Sequence, residues 1–360
     1  MRITILQGAF LPVPPLRGGA IEKAWQTLGQ AFVRAGHEVT HVSRLCDDLP
    51  AEETICGVKH IRIKGAEAVV NPYILKLREI PYLVRARRIL PDADILVTHT
   101  FWAPLFLPPQ RMGKLYVHVG RYPKGQMCMY GKAARLQVPS QSVADAVIAE
   151  LRPGDDARVK CIPYPLPFSM PHPVPLDARP KRVLFAGRIH PEKGVHYLIE
   201  AWKSLPISLQ NQWTLRLIGP WRKEQGGAGK QFLEQMIHSG GKNIEVLDPV
   251  FSEEELIKQY QSAQIFVYPS MARKGETFGL AVLEAMACGC VPLVSSLPCF
   301  GDFIRPGKNG FTFDSQKDPV ADELTRALNS LLGYTDLSVL SDSAIMRASQ
   351  YHLDLSLIHI

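Results

Sequence analysis

Several features that mark membrane, secreted or metal-binding proteins are missing from this sequence. It contains no apolar run as long as the ~18 residues that a membrane-spanning helix needs. The N-terminus runs from Met1 directly into Gln7 and Gly8, without the apolar core and cleavage site of a signal peptide. Seven cysteines are an odd number and form no C-x-x-C pair, which favours reduced thiols in the cytoplasm. The 11 histidines show no metal-ligand spacing, so the sequence predicts no metal site.

The sequence also lacks a large excess of either charge, with 41 Lys and Arg against 34 Asp and Glu. The net charge of +7 is unevenly distributed: residues 1–170 hold 22 cations and 14 acids, whereas residues 171–360 hold 19 and 20. The first half therefore carries the whole excess, which suggests an anionic acceptor or membrane surface on that side. Nucleic acid is not predicted as a partner, because no motif for it is present.

Apolar residues make up 46% of the chain, and its length of 360 residues suggests two domains of roughly 150–200 residues each. In the first half, a strand at Arg2–Leu6 precedes a Pro/Gly loop and a helix whose apolar positions recur from Ile21 to Phe32 at helical spacing. Glu38–Val42 predicts the next strand. This strand–helix–strand order indicates a parallel sheet with helices on its faces.

Seven prolines lie between residues 163 and 180, a density that predicts a stiff linker. Strand and helix patterns restart at Arg182. We therefore expect an N-terminal acceptor-side domain at 1–168, a linker at 169–180 and a C-terminal nucleotide-sugar-binding domain at 181–340. A final helix at about 341–357 could pack back onto the first domain. The predicted fold is α/β, with two doubly wound Rossmann-like parallel-sheet domains facing each other across a cleft.

Ligands of such sheets bind where strands end and helices begin, so three loops are candidate sites. Loop 187–194 places Arg188 and Lys193 between glycines at a helix start, which is typical of a diphosphate site because cations, backbone N–H groups and the helix dipole all favour anions. Glu284 lies among apolar residues after Glu276 and needs partners such as the hydroxyls of a ribose. Gly18 and Gly19 allow close backbone approach in the first domain. Solvated turns are the alternative interpretation of these loops.

These loops resemble those of retaining family 4 glycosyltransferases, which have the GT-B architecture. The resemblance rests on the run from Gly187 to Ala201, on Glu276 and Glu284 with seven residues between them, and on loops resembling the family's nucleotide-base loops. It implies four catalytic residues: His118, Glu276, Arg188 and Lys193. It also implies a set of donor-binding residues: Gly18, Gly19, Gly187, Arg188, Lys193, Gly219, Val250, Phe251, Thr277, Phe278, Gly279, Leu280 and Glu284.

The roles implied by the resemblance divide the donor between these residues. Arg188 and Lys193 would hold the diphosphate, Glu284 the ribose and Glu276 the donor sugar. His118 would lie beside that sugar. The family mechanism is a front-side displacement without a protein nucleophile, a resident cofactor or an obligatory metal. Two segments depart from the family pattern: Pro298–Asp302 replaces a Gly-Gly pair and a glutamate, and Tyr164-Pro165-Leu166 replaces an Asn-Gly turn.

The expected activity is transfer of a sugar from a nucleotide-sugar, UDP-linked on family frequency, to a glycan or lipid-linked acceptor. A nucleotide-sugar epimerase and a non-catalytic sugar-nucleotide-binding subunit are the alternatives. Residues 73–90 carry five cations beside Tyr73, Leu77, Ile80 and Val84, which predicts one or two basic amphipathic helices broken at Pro81. Such a segment suits the inner face of a membrane, with a solvated helix face as the alternative.

Overall fold

The structure, a computed structural model, describes residues 1–16, 19–46, 48–69, 71–107, 112–239 and 241–353. The chain divides into two compact units, the first of Met1–Pro167 with Leu353 and the second of Phe168–His352. Among the described residues no helix has the length and apolar character needed to cross a bilayer. All seven cysteines are free.

The first unit is built on an eight-stranded sheet with β1 near its centre. In chain order its strands are β1 (Arg2–Leu6), β2 (Glu38–Arg44), β3 (Glu52–Ile55), β4 (Val58–Ile63), β5 (Ile95–Thr98), β6 (Lys114–His118), β7 (Arg135–Val138) and β8 (Val159–Cys161). Their order across the sheet is β3-β4-β2-β1-β5-β6-β7-β8, and every pair is parallel except β3 with β4. The direction of winding therefore reverses between β1 and β5, which is where ligands bind in open α/β sheets.

Helices cover both faces of this sheet. They are α1 (Ala20–Arg34), α2 (Pro72–Ile89), α3 (Ala103–Phe106) and α4 (Gln141–Ile148). The apolar stripe of α1 buries Trp25, Leu28 and Phe32 against one face of the sheet. Side chains of α2 and α4 pack into the core on the opposite face. The parallel sheet and the amphipathic first helix predicted from the sequence are thus both present.

The second unit repeats this design with six parallel strands. They are β9 (Arg182–Ala186), β10 (Thr214–Ile218), β11 (Ile244–Leu247), β12 (Ile265–Tyr268), β13 (Val291–Ser295) and β14 (Phe311–Phe313). The order β11-β10-β9-β12-β13-β14 reverses between β9 and β12. The helices are α5 (Val195–Lys203), α6 (Ile207–Gln212), α7 (Lys230–Ser239), α8 (Glu253–Gln261), α9 (Leu280–Ala287), α10 (Val320–Leu332) and α11 (Leu337–Ser349). The α/β class with two Rossmann-like domains is therefore confirmed.

The Pro-rich segment expected as a linker lies in the second unit, where other side chains hold its backbone. The Arg179 guanidinium donates to Val174 O at 2.7 Å and to Ala263 O at 3.0 Å. The Gln261 amide donates to His172 O at 2.7 Å. Because these contacts replace the helix and sheet ladders that proline disrupts, the segment is part of the packed unit.

Three predicted helices differ in detail from those in the structure. The basic segment forms a single helix, α2, that continues through Pro81. The sequence pattern predicts a helix from Phe278 to Ala287, whereas α9 begins at Leu280. Gly279 takes a positive φ of 89°, which is not helical and ends the preceding loop. Helix α11 begins at Leu337 and ends at Ser349, and it packs on α9 and β13 of the second unit. Residues 354–357 of the predicted final helix lie outside the described residues.

Candidate active site

Two loops of the second unit meet at the carboxyl edge of its sheet, where the strand order reverses. One follows β9 and contains Gly187 and Lys193, and the other follows β12 and contains Glu276. Their backbones are joined directly, since Met271 N–H donates to Glu192 O at 2.9 Å. The loop after β10 joins them, because Ile189 N–H donates to Pro220 O at 2.9 Å. Three loops predicted to bind the donor are thus held together by main-chain hydrogen bonds.

Two glycines make this close approach possible. Gly194 has a φ of 68°, and a Cβ placed there would lie 1.9 Å from Pro269 O. A Cβ on Gly219 would lie 1.9 Å from Gly187 O. No larger residue fits at either position without moving backbone, so these glycines determine the distance between the loops.

Lys193 and Glu276 form an ion pair at the centre of this loop cluster. The Lys193 ammonium lies 2.7 Å from Glu276 Oε2, and both side chains are about 10% exposed. Lys193 sits in the short turn Pro191–Lys193 that leads into α5, and Glu276 precedes α9. The sequence predicted both as site residues, and the structure brings them into direct contact.

Tyr268, at the end of β12, also contacts this pair and was not predicted. The Lys193 ammonium lies 5.2 Å from its ring centroid, and its hydroxyl interacts electrostatically with both Lys193 and Glu276. Burial raises the pKa of Tyr268 to about 12, so the hydroxyl keeps its proton at neutral pH. Burial alone would lower the pKa of Lys193, but the oxygens of Tyr268 and Glu276 outweigh it and hold that pKa above its ordinary value. The ammonium therefore stays charged at neutral pH.

Arg188 is half-exposed near this pair. Its guanidinium donates to Gly226 O at 3.1 Å and lies 3.5 Å from the Glu192 carboxylate. Since a half-exposed ion pair of this length is weak, the side chain can turn to another anion at little cost.

The N-terminus of α9 adds backbone donors to the site. Thr277 and Phe278 are buried ahead of Gly279, and Leu280 is the first helical residue. The first amides of a helix have no intrahelical acceptor and favour an anion. The Phe278 ring, however, packs against Phe303 with centroids 5.4 Å apart, so its side chain belongs to the core.

Glu284 lies within α9 and is 4% exposed. Its Oε2 accepts a hydrogen bond of 3.0 Å from the Tyr260 hydroxyl. The sequence predicted that this buried carboxylate needs hydroxyl partners, and in the structure a protein hydroxyl is one of them. Tyr260 itself was missed, because nothing in the spacing relates α8 to α9.

The remaining predicted donor contacts lie in other loops. Val250 and Phe251 follow β11 and precede α8, with Phe251 exposed. In the first unit, Gly19 caps α1 with a φ of 113°, and a Cβ there would lie 2.1 Å from Glu22 Oε2. Gly18 lies outside the described residues.

His118 ends β6 in the first unit and is 3% exposed. Its Nε2 lies 2.8 Å from the Tyr164 hydroxyl, and its ring contacts those of Trp25 and His99. Burial lowers the pKa of His118 to about 3, so the ring is neutral. Tyr164, noted in the sequence only as a departure from the family pattern, therefore holds the predicted active-site histidine in place.

Replacing Tyr164 by phenylalanine should lower the free energy of unfolding by about 1–3 kcal/mol, because it leaves His118 Nε2 buried without a partner. Urea unfolding measures the change. Tyr116→Phe is the matched control, since Tyr116 lies on β6 with His118 and is half-buried. This variant should shift stability by less than about 0.5 kcal/mol. Equal losses in the two variants would contradict a specific role for the Tyr164 hydroxyl.

Comparison with known proteins bears on this site. Residues 170–337 match the family model described as glycosyl transferases group 1. The second unit is a group 1 glycosyltransferase domain. The candidate loops of this glycosyltransferase domain all lie within the matched residues.

A curated relative matches about half of the chain, and solved structures superpose on nearly all of it. A D-inositol 3-phosphate glycosyltransferase of Rhodococcus jostii is 28% identical over 191 residues, which are 52% of this chain and 38% of that protein. Sucrose-phosphate synthase from Thermosynechococcus elongatus superposes with a TM-score of 0.80 at 20% identity, covering 99% of this chain and 96% of that one. Anabaena HepE in complex with UDP and glucose gives 0.74 at 16%, covering 99% and 98%.

These similarities support the fold of the whole chain more strongly than its activity. The superpositions show that the chain has the two-domain GT-B fold. The aligned segments of the first curated relatives span 28% to 38% of those proteins' lengths. The glycosyltransferase domain is therefore established, and the activity of the whole chain is argued below.

Proposed function

We propose that this protein is a retaining glycosyltransferase that moves a sugar from a UDP-linked donor to a glycan or lipid-linked acceptor. The observation that carries the proposal is the buried contact between Lys193 and Glu276 at the junction of three strand-end loops. A buried cation next to a carboxylate suits a diphosphate bonded to a hydroxylated sugar. The UDP and glucose bound by the HepE structure support the choice of donor.

In the proposed reaction the bond between the sugar C1 and the diphosphate oxygen breaks while a bond forms from C1 to the acceptor oxygen on the same face. The acceptor hydroxyl passes its proton to a phosphate oxygen. Lys193 and Arg188 stabilise the negative charge that develops on the leaving nucleotide. Glu276 accepts hydrogen bonds from the donor sugar, and Glu284 binds the ribose.

The nucleotide-sugar is a substrate, and we propose that the reaction uses no resident cofactor or obligatory metal. Among the described residues, no three His, Cys, Asp or Glu side chains are grouped to hold a metal ion. We further propose that the enzyme is cytoplasmic and associates peripherally with the inner membrane face. The cationic excess of residues 1–170 supports that location, because the cations proposed to hold the donor diphosphate, Arg188 and Lys193, lie in the other half.

A thermal-shift panel of UDP-, GDP-, ADP- and dTDP-sugars tests the donor. A UDP-sugar at about 100 times its Kd should stabilise the protein by about 2.7 kcal/mol, with or without EDTA. Lys193→Ala should abolish the shift, whereas Lys258→Ala, an exposed lysine on α8, should not. Stabilisation by none of the four would contradict the donor site. Turnover of the stabilising donor distinguishes a transferase from a binding subunit, and recovery of an epimeric nucleotide-sugar would indicate an epimerase.

A further inference from the structure

Helix α2 exposes a continuous apolar stripe. Tyr73, Leu77, Ile80 and Val84 recur at i, i+4, i+7 and i+11, so they share one face of the helix. Their exposed fractions are 77%, 61%, 37% and 49%. Ile74, beside the stripe, is 45% exposed. Single exposed apolar residues are ordinary, but a row of them on one helix marks a surface that is covered by something else.

The opposite face of α2 already provides its attachment to the first unit. Tyr82, Leu83 and Ala86 lie in the core beneath the sheet. The Glu79 carboxylate accepts from Phe101 N–H at 2.9 Å. The stripe is therefore not needed for folding, and its four apolar side chains lie on the side of the helix away from this core.

Cations flank the stripe. Helix α2 contains five of them and one acid, Glu79, which is buried. The cations are Lys76, Arg78, Arg85, Arg87 and Arg88. Arg78 and Arg85 donate only to backbone carbonyls, those of Glu67 and Lys64. Within the described part of the chain none of the five forms an ion pair with a carboxylate. Lys76 lies 3.8 Å from the Phe101 ring centroid and interacts with the buried Glu79, so the uncompensated charge is that of the four arginines.

We propose that α2 lies flat on an anionic phospholipid bilayer, with the stripe inserted at the headgroup boundary and the cations against acidic headgroups. Apolar residues bordered by arginine and lysine are the composition of interfacial helices. A second copy of this chain fits less well, because two such faces would bring ten cations together. This proposal names the surface behind the peripheral membrane location proposed above. It rests on the proposed function only in assuming that the acceptor is at a membrane.

Flotation of the full chain with phosphatidylcholine vesicles, with and without phosphatidylglycerol, tests this surface. Binding should require phosphatidylglycerol and weaken as salt rises. Arg87→Gln with Arg88→Gln should lower the partition coefficient about fivefold for each charge removed. Tyr73→Ser with Leu77→Ser should remove most of the remaining binding. All four substituted residues are exposed, so the substitutions remove no contacts of the core.

Two controls keep the result interpretable. Val339→Ser replaces a residue of α11 that is 61% exposed, like Leu77, and should leave flotation unchanged. All variants should keep the thermal shift with a UDP-sugar, so that loss of membrane binding is separated from failure of the donor site. Equal flotation with neutral vesicles, or wild-type binding by the stripe variant, would overturn the proposal. So would a chain that dimerises through α2, detected as a stripe-dependent change in mass by light scattering.

Discussion

Alanine at Lys193 or at Glu276 is expected to lower the rate of sugar transfer by about 100- to 1000-fold. The size follows from the loss of one preorganised electrostatic contact to the leaving diphosphate or to the donor sugar. Each single variant should also lose about 3–5 kcal/mol of stability, because it leaves the other charge buried without its partner. Initial rates with a UDP-sugar and urea unfolding measure the two effects separately.

The double variant distinguishes catalysis from structure at this pair. Removing both charges leaves no unpaired ion, so the combined loss of stability should be smaller than the sum of the two single losses. Activity should stay at the level of the worse single variant, since both substrate contacts are gone. Recovery of activity together with stability would show that the pair is only a structural ion pair.

A second Lys–Glu pair in the same unit is the matched control. Lys258 and Glu254 also lie 2.7 Å apart, but on the exposed face of α8. Alanine at Lys258 should leave both the stability and the rate of transfer nearly unchanged, because water and salt screen an exposed pair. Because the two Lys–Glu distances are equal, any difference between the Lys193 and Lys258 variants is due to burial and position.

The sequence predicts much of this site because its information is local. Parallel strands end at one edge of a sheet, so the loops with Gly187, Gly219 and Glu276 are brought together by the strand order alone. The bounds of the strand Arg2–Leu6 were predicted to the residue, and the first strand of the second sheet begins at Arg182, where the pattern was predicted to restart.

The partners of the charged groups were not predictable from spacing. The hydroxyls of Tyr164 and Tyr260 satisfy His118 and Glu284 across separations of 46 and 24 residues, and the Tyr268 ring faces the Lys193 ammonium from the end of another strand. A tyrosine in a strand or helix pattern reads as an apolar core residue, and only the fold determines what its oxygen touches. The same holds for α2, whose apolar stripe could face inward or outward until the packing of Tyr82 and Ala86 is known.

Acid should unfold the first unit more readily than the second, because four histidines are buried there as neutral rings. They are His41, His60, His99 and His118. Burial is the largest cause in each case: it lowers the pKa of His60 to about 4 and of His118 to about 3, and it holds the pKa of His41 and His99 well below the ordinary value. The stacked rings of His41 and His60, 5.4 Å apart beside Arg62, add like-charge repulsion to that effect.

Two buried carboxyl groups in the same unit titrate in the opposite sense. Burial raises the pKa of Glu22 and of Glu79 to about 7, so the folded unit binds these two protons at a pH where the unfolded chain has released them. Between about pH 4.5 and 6.5 the unfolded chain instead binds up to four more protons on its histidines. The excess of protons on the unfolded chain reaches about two near pH 5.5, where its histidines are mostly protonated, so stability falls as the pH drops through that region. The protons bound by the two states balance near pH 7, so stability should be greatest there.

Two excess protons correspond to about 2.7 kcal/mol of stability lost for each pH unit near pH 5.5. Urea unfolding at a series of pH values, followed by circular dichroism, measures that slope. His60→Gln should reduce it by about 1.4 kcal/mol per pH unit, because one titrating group is removed. His172→Gln should leave the slope unchanged, since His172 is exposed. The slope is the informative quantity, because it reports protons bound even where a substitution also changes packing at every pH. A slope that His60→Gln does not alter would mean that the histidines are hydrated in the folded unit.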